Sequence, residues 1–180
     1  MTGRKARSFL GKALRGALAA GAGLLIAGQA AAAGPELLGN FRDWTAFAMT
    51  DGGQKTCWMA TKPVEALPDN VRRGDIYLMV THRPGQSVKN EVSVITGYTY
   101  EPGSSVTATV GTDNWSLFTQ GDGAWLRDAA EEQRLVEAMK RGANIRVKGR
   151  SNRGTDTTDT YSLMGFTAAH KTISEACGVR

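Results

Sequence analysis

The chain has 180 residues, 22 Lys and Arg against 17 Asp and Glu, and 41% hydrophobic residues. Five of the basic residues (Arg4, Lys5, Arg7, Lys12 and Arg15) fall in the first 15 positions, and every acid lies after Ala33. Beyond Ala33 the charges therefore balance, which leaves no global basic field to attract nucleic acid or an anionic membrane.

The basic start is followed by a small, apolar run from Ala17 to Ala27 with Leu24, Leu25 and Ile26 at its centre, then by Ala30-Ala31-Ala32-Ala33. A positive segment, a short apolar core and an Ala-x-Ala end describe a secretory signal peptide. The run is too short and too rich in Gly and Ala for a good membrane span. Cleavage is expected after Ala33, with Ala32 the alternative. Residues 1–33 are read as the signal and 34–180 as one domain, with no transmembrane segment once the signal is removed. Ala6 stands where a twin-arginine signal would need its first arginine, so general secretion fits better. The first cysteine is Cys57, too late to be a lipid-attachment site.

Two segments open the domain as strands, Trp44 to Met49 and Thr56 to Ala60, joined across Asp51-Gly52-Gly53, since glycine accepts the positive φ of a tight turn. Ile76 to Val80 is a continuous apolar run, and Val92 to Thr96, Trp115 to Thr119 and Tyr161 to Met164 are similar. Val106 to Val110 and Ile145 to Gly149 alternate apolar and polar, the mark of a strand with one buried face. Asp128 can cap a helix with Glu131 as its reciprocal partner. Leu135, Val136 and Met139 give that helix a stripe, and Gly142 ends it after Lys140 and Arg141. A second helix is expected from about Phe166 to Ala176. The four tryptophans are counted to the core. Strands first, with one helix before the last two strands, do not make a βαβ series. The expected fold is mainly β: an antiparallel β-sandwich or barrel-like sheet with one or two packed α-helices, including a C-terminal helix.

Cys57 and Cys177 allow only one intramolecular pairing, and in an exported chain an even cysteine count predicts a disulfide. It would tie the final helix to the second of the strands named above. A redox or metal pair finds little support: there is no Cys-x-x-Cys, and His82 and His170 are the only histidines.

Several blocks, read in order, resemble the invasion-associated locus B family of bacterial exported proteins. They are Gly39-Asn40-Phe41-Arg42-Asp43-Trp44, Cys57 with its neighbours, Tyr77 through Gly85, Asn90-Glu91-Val92-Ser93, Gly121 through Trp125, Gly154 through Phe166, and Cys177. The resemblance implies an exported, periplasmic or surface-associated protein of alphaproteobacterial type. Founding members are linked to entry into host cells, and the family supplies no catalytic residues to carry over.

Candidate sites follow from the residues. His82 and Arg83 end a strand before Pro84-Gly85 and offer an anion-binding or catalytic loop, or simply a polar strand end entering a turn. Ser162 lies within a strand, unlike a nucleophile on a glycine-flanked elbow. Asp156 and Asp159 lack the ligand spacing of a calcium hand. Arg146, Lys148 and Arg150 share one strand face, suited either to an anionic surface or to guarding an edge strand against aggregation. No cofactor or metal is implied. The leading expectation is a non-enzymatic interaction protein with an envelope or host-surface partner, located in the periplasm, at the outer membrane or outside the cell. An envelope cell-wall hydrolase using His82 is the runner-up, and a purely structural envelope factor the third reading.

Overall fold

Alternate apolar residues in Trp44-Thr45-Ala46-Phe47-Ala48 put Trp44, Ala46 and Ala48 on one buried face, which a strand achieves because successive side chains point to opposite sides. Gly52 and Gly53, at φ +53° and +78°, turn the chain so that Asp51 faces Gln54, a hairpin that needs positive φ at both positions. The structure is a computed structural model describing residues 34–180. The expected signal segment and the expected cleavage point at Ala33 lie outside the described residues.

The strands are β1 (Glu36–Phe41), β2 (Trp44–Asp51), β3 (Gln54–Thr61), β4 (Glu65–Leu67), β5 (Tyr77–Arg83), β6 (Val88–Ile95), β7 (Ser105–Val110), β8 (Asp113–Gln120), β9 (Gly123–Trp125), β10 (Asn144–Arg150) and β11 (Asp156–Ser162). The helices are α1 (Ala129–Arg141) and α2 (Phe166–Cys177). All eleven strands form one antiparallel sheet in the order β1-β2-β3-β5-β6-β9-β8-β7-β10-β11-β4. The sheet is not closed; β1 and β4 are its free edges.

It is nevertheless strongly curled. The Trp44 indole N–H donates to the carbonyl of Ser162 at 3.0 Å, and the Asp43 N–H to that of Met164 at 3.3 Å. In a flat sheet β2 and β11, eight places apart, would lie about 38 Å from each other. The expected β-rich, barrel-like architecture with a C-terminal helix is what forms.

α1 packs on β6 and β7, and α2 on β1, β2, β3 and β5. Trp44, Met59, Leu78, Leu117, Leu135, Met139, Tyr161, Phe166 and Ile173 are fully buried between them. Phe166 meets Trp44 edge to face at 5.0 Å. Asp128 caps α1 as expected, accepting from the N–H groups of Ala130 and Glu131 at 2.7 and 3.3 Å. The reciprocal half of that cap does not form, because the Glu131 carboxylate pairs with Arg134 one turn on. Two of the four tryptophans do not enter the core. Trp58 and Trp125 are half-exposed on the opposite sheet face, where Trp58 stacks on Phe47 at 5.4 Å and Trp125 lies 5.9 Å from Phe118.

The Cys57–Cys177 disulfide is present, with Cα atoms 6.0 Å apart across a sequence separation of 120. It joins the middle of β3 to the last residue of α2.

Candidate functional site

His82 and Arg83 do not form one loop site. Both belong to β5, and strand periodicity sends them to opposite faces. His82 is completely buried. Its Nδ1 accepts from the backbone N–H of Asn90 at 3.0 Å, which places the ring proton on Nε2, 3.1 Å from Ser174 Oγ. His82 thus donates to Ser174 and has no lone pair left to take a proton from it. A serine hydrolase needs the opposite arrangement, so the geometry speaks against His82 as a catalytic base. His170 of α2 donates to Asn90 Oδ1 at 2.8 Å, and the Asn90 amide donates to Gln133 Oε1 at 2.6 Å. This polar knot fastens β5 and β6 to both helices.

Arg83, on the other face, pairs with Glu91 at 2.5 Å. Glu132 of α1 lies near this pair, 9% exposed. Burial, reinforced by Glu91, pushes its carboxyl up to about 7. Burial also holds His82 and His170 down near pKa 4, with Lys89 and Lys140 repelling further charge at both rings and His82 disfavouring protonation of His170.

These shifts set a pH dependence. An unfolded imidazole gains its proton near pH 6.5 and the folded rings near 4, so stability is fully present above pH 6.5 and is lost as pH falls toward 4. Glu132 acts oppositely. It ionises at 4.5 when unfolded and about 7 when folded, so it costs stability as pH rises through that interval. Each shift is worth roughly 3 kcal/mol at saturation, and two histidines outweigh one carboxylate by roughly the same amount. The urea midpoint should therefore fall between about pH 7 and pH 4. Glu132→Gln should stabilise the protein at about pH 8 and change little at about pH 4. A midpoint that ignores pH would contradict the neutral buried rings.

The basic strand is β10. It is not an edge: β7 and β11 flank it, so the edge-guarding explanation for its cations fails. Arg150 is taken up by Asp156 at 2.9 Å and Glu101 at 3.2 Å. Arg146 and Lys148 have no salt-bridge partner among the described residues. Each sits between threonines of the neighbouring strands, Arg146 between Thr109 and Thr160, and Lys148 between Thr107 and Thr158. They line an open groove of about 710 Å3 that ends at Glu65 and Leu67 of β4.

Asp156 and Asp159 are both bound to arginines, since Arg73 donates to Asp159 through Nη1 and Nη2 at 2.6 Å each. This pair is buried, with side chains 6% and 1% exposed. Arg72 and Arg73 drew no attention in the sequence; the signal available was an arginine pair beside Gly74. Gly74 donates to the Gly97 carbonyl at 2.9 Å, and a Cβ on Gly97 would come within 2.5 Å of the Gly74 oxygen. Glycine is required at position 97 for this approach, where φ is also +71°, and the approach carries Arg73 across to Asp159.

Among the described residues no cluster of three or more His, Cys, Asp or Glu is placed to hold a metal, and no helix is long and apolar enough to cross a membrane.

Comparison with known proteins places this architecture. The crystal structure of invasion associated protein b from Bartonella henselae matches 81% of this chain and 99% of its own, with a TM-score of 0.56 and 16% sequence identity, which shows a shared fold. No curated protein sequence matches the chain. The family model described as "Invasion associated locus B (IalB) protein" matches residues 44–174, from the first core tryptophan to the serine that meets His82. The chain belongs to the invasion associated locus B (IalB) family.

Proposed function

We propose that this IalB-family protein is an exported, non-enzymatic interaction protein that engages an anionic partner of the cell envelope or host surface through Arg146 and Lys148. The observation that carries this reading is a pair of uncompensated cations in the interior of a sheet, framed by threonine hydroxyls. Cations at an edge have a folding rationale; here that rationale is missing, and attraction of an anionic surface is the remaining gain. The basic and apolar leader supports export to the periplasm, the outer membrane or the medium. The disulfide fits an oxidising, extracytoplasmic compartment. The name of the family and of its crystallised relative supports a part in host-cell invasion, with an envelope role as the alternative.

Charge reversal tests the surface. Wild-type protein should bind lipopolysaccharide-containing vesicles at low salt and release them as salt rises. Arg146→Glu with Lys148→Glu should weaken that binding by about tenfold or more and leave thermal stability nearly unchanged. Equal binding by the variant would remove this surface from consideration.

A further inference from the structure

At one end of the curled sheet the segment before β5 lies against Gly97–Thr99 and the β10–β11 connection. The three enclose a cavity of about 490 Å3, a size usual for small-molecule sites, and the mouth of a barrel-like sheet is a common place for one. Three arginines line it, and no carboxylate does. The grooves elsewhere on the surface include at least one acid among their charged lining residues.

The three arginines have different parts. Arg73 is fully engaged: besides Asp159, its Nε donates to the Thr96 carbonyl at 3.0 Å, and the guanidinium lies over the Tyr98 ring at 5.1 Å. It forms a fixed, buried wall. Arg72 and Arg153 are exposed and have no salt-bridge partner among the described residues. Ser151 Oγ, in the same lining, accepts from the N–H groups of Arg153 and Thr155 at 3.3 and 3.1 Å, so its own proton is free for an acceptor. Asn152 adds an amide beside it. The cavity is thus rich in donors and lacks a built-in anion.

We infer that this cavity binds an oxyanion carried on a small hydroxylated molecule, a sugar phosphate or a uronate, with Arg72 and Arg153 on the anion and Ser151 and Asn152 on neighbouring oxygens. Arginine suits this task because its planar fork of donors matches a phosphate or carboxylate. The site is independent of the Arg146–Lys148 groove. Thr158 and Thr160 line the groove, whereas Thr157, which lines the cavity, alternates with them and points the other way.

The experiment titrates inorganic phosphate, glucose 1-phosphate, glucuronate and neutral glucose into the disulfide-bonded protein and follows the amide NMR signals of Gly97, Asn152 and Thr155. Saturable shifts with the anionic probes at about 1 mM or below, absent with glucose, are the expected result. Arg72→Ala with Arg153→Ala should weaken them at least about tenfold, and Arg146→Glu with Lys148→Glu should leave them intact. Tighter binding of glucose 1-phosphate assigns a phosphate-bearing ligand, and tighter binding of glucuronate a carboxylate-bearing one. No saturable shift with any anion, equal shifts with glucose, or shifts that survive loss of both arginines in a variant with unchanged melting would overturn the inference.

Discussion

Replacing both cysteines, Cys57→Ala with Cys177→Ala, is expected to cost roughly 4–5 kcal/mol of stability. The bridge spans a sequence separation of 120, so in the chain-entropy model it removes much of the freedom of the unfolded chain. Melting should fall by about 10–20 °C, given about 2–4 °C per kcal/mol for a domain of this size. The denaturant slope should rise as well, because the unlinked chain expands further and exposes more surface. The folded state should change only at the end of α2, since Phe166, Ala169 and Ile173 still bury the rest of that helix. Amide exchange should thus accelerate in the last turn, around Ser174 to Cys177, before it does elsewhere. Paired urea titrations of the oxidised protein and the double variant decide the matter. A difference below about 1 kcal/mol would mean that the bridge adds little to what the core already holds.

The second large effect is expected at Arg73 and Asp159. The pair is almost wholly removed from water, so deleting one partner strands a buried charge. Asp159→Ala should cost about 3–5 kcal/mol. Replacing both residues with apolar ones of similar size, Arg73→Met with Asp159→Leu, should cost much less, because neither charge then remains to be desolvated. The difference between the double variant and the sum of the singles measures the coupling. High salt should barely change it, unlike the coupling of the exposed Lys62–Asp75 pair. A single-variant cost near zero would show that water reaches the guanidinium.

Much of the fold was legible because its signals are local. Period-two alternation marked β7 and β10 as strands with one buried face, and Asp51-Gly52-Gly53 marked the turn that joins β2 to β3. Asp128 and Gly142 bracketed α1 through capping chemistry. The strands that escaped notice lack such patterns. In β1 the register shifts between Leu37 and Gly39, which breaks the alternation. β4 and β9 have three residues each, too few for a period to show. β11 begins at Asp156, well before the apolar run at Tyr161, because Thr157 and Asp159 are buried by partners rather than by hydrophobicity.

The candidate sites were less legible, for the same reason in reverse. His82 before Pro84-Gly85 looked like an exposed strand end. It is buried because Ser174, 92 residues on, and the backbone of Asn90 satisfy both ring nitrogens. Arg146 and Lys148 were named correctly as outward-facing cations, but whether their strand lay at an edge depends on the order of all eleven strands. Asp159, whose spacing argued against a calcium ligand, gave no sign of its partner, an arginine 86 residues away.

By itself the sequence determined the elements with a regular period, the helix caps and a disulfide that two cysteines could make in only one way. Tertiary structure alone decided which strands are edges, which charges are paired and where a donor-lined cavity opens. Period and capping act between residues a few positions apart, whereas pairing and enclosure depend on segments that only the curl of the sheet brings within reach.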